Sequence, residues 1–203
     1  MDIKKVLKRI IGKPQWKKAL YDDVIYENDM ESFSGNSLSN SNILILADES
    51  LYDKIEKAVK HIEKIEKCDI SLIKSYGFNG LLNEEINKIG GYDHIINCCI
   101  VNKDDDVYRI YSLLQEETNY LVDRECYSTV CTMIFAENPN SSNVIAIKGI
   151  LEGLGEVLPN HNIIENGAIV SGNLLINEAI QTALFLSGKY GQLLTGFVVE
   201  MGA

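Results

Sequence analysis

The side chains that could do chemistry are few, and most are carboxylates. Asp48, Glu49 and Asp53 fall within six residues, directly after the apolar run NILILA. Three acids there would repel a phosphate, and the bulky Tyr52 and the lack of any glycine would block close approach of the backbone. Asp104, Asp105 and Asp106 form a second acidic group, read as the start of a helix, whose dipole favours negative charge. Five cysteines (Cys68, Cys98, Cys99, Cys126, Cys131) follow no zinc spacing. Cys98 and Cys99 are adjacent on an expected strand, so they face opposite sides and share no tetrahedral ion. His161 sits in a turn after Pro159, and Tyr76 to Gly80 (YGFNG) reads as a loop rather than a nucleotide cradle. No metal site is expected.

The elements that must position these groups alternate regularly. A continuous apolar run, the mark of a strand buried on both faces, falls at Asn42 to Ala47, and His94 to Val101 is apolar throughout apart from Asn97. Further strands are expected at Asp69 to Ile73, Val130 to Ala136, Ile163 to Val170 and Thr195 to Met201. Between them, apolar residues recur at helical spacing, as in Leu51, Ile55, Val59, Ile62 and Ile65. Further helices are expected at Leu81 to Ile89, from Asp104 to Arg124, from a cap at Asn143 to Leu158, and at Asn177 to Leu186. Strand then helix, repeated with short links, means crossover units and a parallel sheet. The expected fold is a three-layer, Rossmann-like α/β domain of about six strands with helices on both faces, spanning residues 43–203.

Four blocks within it resemble the short-chain dehydrogenase/reductase family. Lys148-Gly-Ile-Leu-Glu-Gly-Leu154 is similar to the stretch after that family's catalytic tyrosine. Ala183 to Ala203 (ALFLSGKYGQLLTGFVVEMGA) resembles its C-terminal signature, and Tyr92 to Cys99 (YDHIINCC) the strand that lines the cofactor site. Asn166 to Gly172 is a looser match to a later strand end. The resemblance implies a dinucleotide fold in which Lys148 is the family lysine, Asn97 a remnant of the cofactor strand and, if NILILA matches the family's second strand, Asp48 a remnant of the acid that binds the ribose. It also implies pairing of subunits through helices 107–124 and 143–158, where Gly149, Gly153 and Gly155 would permit close contact.

The departures bear on function. The family's tyrosine stands four residues before the lysine, where the lysine's charge lowers the phenol's pKa for proton transfer. Here that position is Val144, which has no proton to give. The expected serine would lie near Ala136 or Glu137, and the relay asparagine near Tyr111, and none of the three matches. Tyr127 and Tyr190 lack the spacing to Lys148. The glycine-rich phosphate loop is missing after NILILA, and only four residues separate Gly172 from the next helix, too few for a substrate lid. One strand–helix unit is also missing before Asn97. Either the first strand is gone and NILILA is the second, or NILILA is central and a peripheral unit was lost. The second arrangement avoids a gap of about 5 Å in the sheet and is preferred.

Charge divides the chain. Its formal net charge is −10, yet Met1 to Leu20 carries seven cations and one anion. Residues 1–31 therefore read as a basic amphipathic segment with Ile3, Val6, Leu7, Ile10 and Ile11 on one helical face. The segment SFSGNSLSNSN, residues 32–42, reads as a flexible linker. An acidic domain of 203 residues, 46% apolar, without an apolar run long enough to span a bilayer and without an apolar secretory leader, is expected to be cytoplasmic and not to bind nucleic acid. Residues 1–20 could reach the inner face of a membrane or an acidic partner. Taken together, the losses predict a non-catalytic subunit with no cofactor. It would self-associate or join an active relative. The alternative is an NAD(P)-dependent oxidoreductase with a rebuilt site.

Overall fold

The computed structural model describes residues 34–35, 37–74, 91–124, 126–171 and 176–202. The chain divides between Glu31 and Ser32, and the basic segment, like the helix expected at Leu81 to Ile89, lies outside the described residues. In order, the elements are β1 (Asn42–Ala47), α1 (Glu49–Glu66), β2 (Asp69–Lys74), β3 (His94–Ile100), α2 (Asp105–Arg124), β4 (Ser128–Phe135), α3 (Ser142–Val157), β5 (Ile163–Val170), α4 (Ile176–Ser187) and β6 (Val198–Met201). Single turns of tighter helix follow α3 at Leu158–His161 and precede β6 at Gly191–Leu194.

All six strands form one parallel sheet in the order β2-β1-β3-β4-β5-β6. β1 is therefore internal, hydrogen-bonded to β2 through Ile43↔Ile70 and to β3 through Ile43↔His94. NILILA thus lies directly beside β3 with no gap in the sheet. Among the described residues β2 forms one edge of the sheet.

Strand alternation sends side chains to two cores. Ile43, Ile45, Ile96, Cys98, Cys131 and Met133 pack with Leu51, Ile55, Val59 and Ile62 of α1 and with Ile180 and Leu184 of α4. On the other face Leu44, Leu46, Ile95, Cys99 and Ile134 meet Ile110, Leu113 and Leu121 of α2 and Val144, Ile147 and Leu151 of α3. Each such buried side chain contributes about 1.5–3 kcal/mol, so the helices are held by their apolar stripes rather than by propensity. Lys67 ends α1 in the left-handed region at φ 54°, its N–H bonded to the Glu63 carbonyl.

Three local expectations differ from the structure. Residues 34–35 and 37–42, expected within a flexible linker, pack against the domain. Leu38 is fully buried, the Ser34 hydroxyl donates to Glu66, and the Lys189 N–H donates to Ser37 Oγ. Asn42 is already in β1. The N-cap of α3 is Ser141, whose Oγ accepts from Val144 N at 3.4 Å, while Asn143 Nδ2 donates to Asp104. β6 begins at Val198 rather than Thr195, because Gly196, at φ 72°, turns the chain first.

Candidate functional site

In an open parallel sheet, ligands bind beyond the carboxyl ends of the strands where the strand order reverses. Here that point lies between β1 and β3, with β2 on one side and β4 to β6 on the other. Asp48 stands at the mouth, one residue beyond β1 and one before α1. Although it occupies the N-cap of α1, its carboxylate makes no hydrogen bond to that helix's amides. Instead it reaches across to β3, where Ile100 N donates to Oδ2 at 2.6 Å.

Arg109, in the second turn of α2, completes the bridge. Its two terminal nitrogens donate to Asp48 Oδ1 at 2.7 Å and Oδ2 at 3.0 Å, a bidentate pair, and one also donates to the Ile100 carbonyl at 3.0 Å. Asp106 adds a longer contact to Arg109 at 3.5 Å. Asp106 also accepts the N–H groups of Asn102 and Lys103, fixing the turn that leads into α2. Burial works against the Arg109 charge, but the adjacent Asp48 carboxylate outweighs it and holds the guanidinium charged. The side chains of Arg109 and Asp48 are only 27% and 14% exposed. The switch point is thus crossed by the protein's own ion pair, from β1 to β3 to α2.

A dinucleotide's pyrophosphate fits this arrangement poorly. A phosphate cradle needs a loop of bare backbone N–H groups at a helix N-terminus. Here α1 starts after a one-residue link, its first turn carries Glu49, and Leu51 is buried in the core. No glycine frees the backbone for approach, and Arg109, the nearby cation that could meet a phosphate, is committed to Asp48.

The other sequence-predicted residues are dispersed. Lys148 Nζ donates to Glu200 of β6 at 2.8 Å, a hydrogen bond that raises its proton affinity. That pair sits at the β6 edge, four strand spacings from β1, or about 19 Å across the sheet. Val144 points into the core beneath α3. Tyr111 is exposed on α2. Tyr127 precedes β4 and Tyr190 precedes β6, both at the amino end of the sheet, remote from the rim where chemistry would occur. Asn97 is fully buried within β3, where Nδ2 donates to Glu117 Oε2 at 2.9 Å and to Thr132 Oγ1 at 3.3 Å. The loop expected to lack a lid, 172–175, lies outside the described residues.

Among the described residues no group of three or more His, Cys, Asp or Glu is placed to hold a metal, and no helix is long and apolar enough to cross a membrane. Cys98 and Cys99 face opposite cores, as adjacent strand residues must. Burial raises the buried thiols, Cys68 to about 12, which makes them poor nucleophiles.

Sequence reasoning missed Arg109 and Glu117. Arg109 and Arg124 are the only cations between Lys103 and Lys148, and Glu117 interrupts the apolar stripe Ile110, Leu113, Leu114, Leu121. Both signals were available: an isolated cation near the carboxyl rim, and an acid where a leucine belongs.

The doubly wound, six-stranded parallel sheet defines a Rossmann-like α/β class. No protein-family model matches the sequence, and no curated protein matches it either. Solved structures do match in fold. A short-chain dehydrogenase from Mycobacterium smegmatis aligns with a TM-score of 0.62 at 11% identity, over 87% of this chain and 96% of that one. A short-chain dehydrogenase from Leptospira borgpetersenii with bound NAD+ aligns at 0.60 and 11% identity, over 89% and 98%. A gluconate 5-dehydrogenase from Burkholderia cenocepacia in complex with NADP and tartrate aligns at 0.58 and 11% identity, over 84% and 97%. The chain has the short-chain dehydrogenase fold.

Proposed function

We propose that this chain is a non-catalytic, dehydrogenase-like subunit that acts through assembly rather than hydride transfer. The observation that carries this reading is the Asp48–Arg109 pair, which spans the switch point where a ligand of this fold would sit. The Lys148 amine, engaged by Glu200 at the far edge, has no phenol to polarise, since Val144 stands one turn earlier.

The assembly surface in this reading is the outer face of α2 and α3. Ile145, Gly149, Gly153 and Val157 recur every four residues along α3. Ile145 is 59% exposed, and a Cβ built on either glycine meets no atom within 4 Å. On α2, Tyr108 (77%) and Tyr111 are also exposed. Small residues on an exposed helix face let a second helix approach closely. A second copy of the chain, or an active relative, would pair there. Gly155 takes no part, because it packs against Gly196 of its own chain. The domain would reside in the cytoplasm, with residues 1–20, rich in lysine, contacting an anionic membrane face or an acidic partner.

A second reading is an NAD(P)-dependent oxidoreductase with a rebuilt site, favoured by the NAD+ and NADP held by two of the similar structures. Calorimetric titration with NAD(H) and NADP(H) separates the two. No measurable binding is expected, and micromolar affinity would overturn the first reading. Analytical ultracentrifugation of Gly149→Leu and Gly153→Leu tests assembly, with a shift toward monomer expected.

A further inference from the structure

Away from the rim, between the sheet and α2, lies a polar network that packing does not require. Glu117 of α2 and Glu165 of β5 are both buried to within 1% of full exclusion from solvent. Asn97 Nδ2 donates to Glu117 Oε2 and to Thr132 Oγ1, and the Thr132 hydroxyl passes its single proton to Glu165 Oε1 at 3.2 Å. The chain of contacts runs across β3, β4 and β5 in adjacent register, Asn97↔Thr132 and Thr132↔Gly167.

Among the described residues each carboxyl receives one hydrogen bond, and no cation reaches either. The two arginines of α2 are engaged at its ends, Arg109 with Asp48 and Arg124 with the Tyr92 carbonyl and Asp93. Lys148 of α3 is paired with Glu200 of β6. The titratable groups near the pair are neutral or acidic: Glu116 on α2, Cys99 on β3 and Cys131 on β4. The facing residues of α3, Ile147 and Leu151, are apolar. A carboxylate buried with a single donor and no counter-ion is strongly disfavoured, so the group takes up a proton instead. The unpartnered atoms fit that state. Asn97 Oδ1 and Glu117 Oε1 are both buried without a hydrogen bond, and an unpartnered buried oxygen is far less costly on a neutral carboxyl than on a carboxylate. A cation is a poorer occupant, because the Asn97 amide N–H already lies between Glu117 and Thr132.

We propose that Glu117 and Glu165 form a proton-holding pair whose ionisation loosens α2 from the sheet, making the fold sensitive to alkaline pH. Burial, first, pushes Glu117 up to about 8 and Glu165 well above the ordinary carboxylate range, with Glu117 itself adding to the effect on Glu165. The inference is independent of the assembly reading.

The test combines denaturant unfolding from pH 6 to pH 9 with infrared difference spectroscopy on the full chain and on Glu117→Gln and Glu165→Gln. Each proton held by the fold but not by the unfolded chain lowers the folding constant about tenfold per pH unit as pH rises. The wild type is expected to lose stability across this range. Glu117→Gln is expected to lose one proton's worth of that slope. The protection of α2 amides, after correction for base-catalysed intrinsic exchange, is expected to fall with pH in the wild type more than in Glu117→Gln. The infrared spectrum of the wild type at neutral pH is expected to show a protonated carboxyl band that diminishes in each variant. Parallel stability profiles for wild type and Glu117→Gln, or no protonated carboxyl in the wild type, would overturn the proposal. If a variant does not fold, the wild-type spectrum and its pH dependence decide alone.

Discussion

Replacing Arg109 by methionine removes the cation that crosses the switch point while keeping most of its aliphatic length. Asp48 then keeps the Ile100 N–H but loses both guanidinium hydrogen bonds. Breaking a buried pair by removing one partner costs about 3–5 kcal/mol, whereas an exposed pair is worth about 0–1. With side-chain exposures of 27% and 14%, the Asp48–Arg109 pair lies between these limits. A loss of about 2 kcal/mol is expected, the value typical of hydrogen bonds to charged groups. For a domain of this size that lowers Tm by about 4–8 °C.

The assay is urea unfolding of Arg109→Met, Asp48→Asn and the double variant. Asparagine keeps an oxygen for Ile100 N but turns an amide toward Arg109, so it also destabilises. Because both singles break one interaction, the double variant should lose less than their sum, by about 1 kcal/mol. The coupling should persist at moderate salt, since partly buried pairs are weakly screened. A loss below about 0.5 kcal/mol for Arg109→Met, the range of ordinary surface substitutions, or an additive double variant, refutes the idea that this pair ties β1 to β3.

Gly155→Ala forces a methyl into the Gly196 backbone and should cost about 3 kcal/mol, as overpacking does. Gly149→Ala and Gly153→Ala meet open space and should stabilise the monomer by about 1 kcal/mol each through helix propensity; a chevron or urea curve for each distinguishes the sites. Lys148→Met should change stability by less than about 1 kcal/mol, because its pair with Glu200 is largely exposed, and a larger loss by urea unfolding would mean that Lys148 is structurally committed. His94, bonded through Nδ1 to Thr129 Oγ1 at 2.8 Å, is held neutral by burial down to about 4. The unfolded chain protonates it below about 6.5, so the unfolded state binds the extra proton between those values. Stability should therefore fall by about 1.4 kcal/mol per unit as pH drops through that window, and His94→Asn should remove this slope. A titration in which that variant runs parallel to the wild type would contradict it.

Much of the framework was readable because burial on two faces leaves a plain signal. Asn42–Ala47 is apolar beyond its first residue, Ile163–Val170 is apolar apart from Glu165 and Asn166, and both strands occupy the expected residues. The central position of β1 followed from the continuity of the hydrogen-bonded ladder. What escaped was non-local. The packing of Ser37 depends on the Lys189 amide, 152 residues away, which no local window contains. The stretch around Leu38 is poor in apolar bulk, yet it folds down because one leucine finds the α1–α4 core. Of the candidate site, the sequence showed Asp48 and the absence of glycine after NILILA. Its positive content, the Arg109 bridge, required knowing that α2 begins beside the carboxyl end of β1. Only the strand order supplies that.

The two kinds of residue separate physically. Apolar positions that alternate along strands are constrained only by volume and pattern, so a chain can keep them at 11% identity to its structural neighbours and keep the fold. Groups that bind or react are constrained at single atoms, and substituting one of them need not disturb the packing. A rim that no longer had to hold a phosphate would still leave strand-end amides and carbonyls to be satisfied, among them Ile100 N and O. Asp48 and Arg109 satisfy both with their own charges neutralised against each other. On the proposed reading the ion pair is the polar closure of the sheet's carboxyl end. It stabilises the domain at the position where a ligand would otherwise do so.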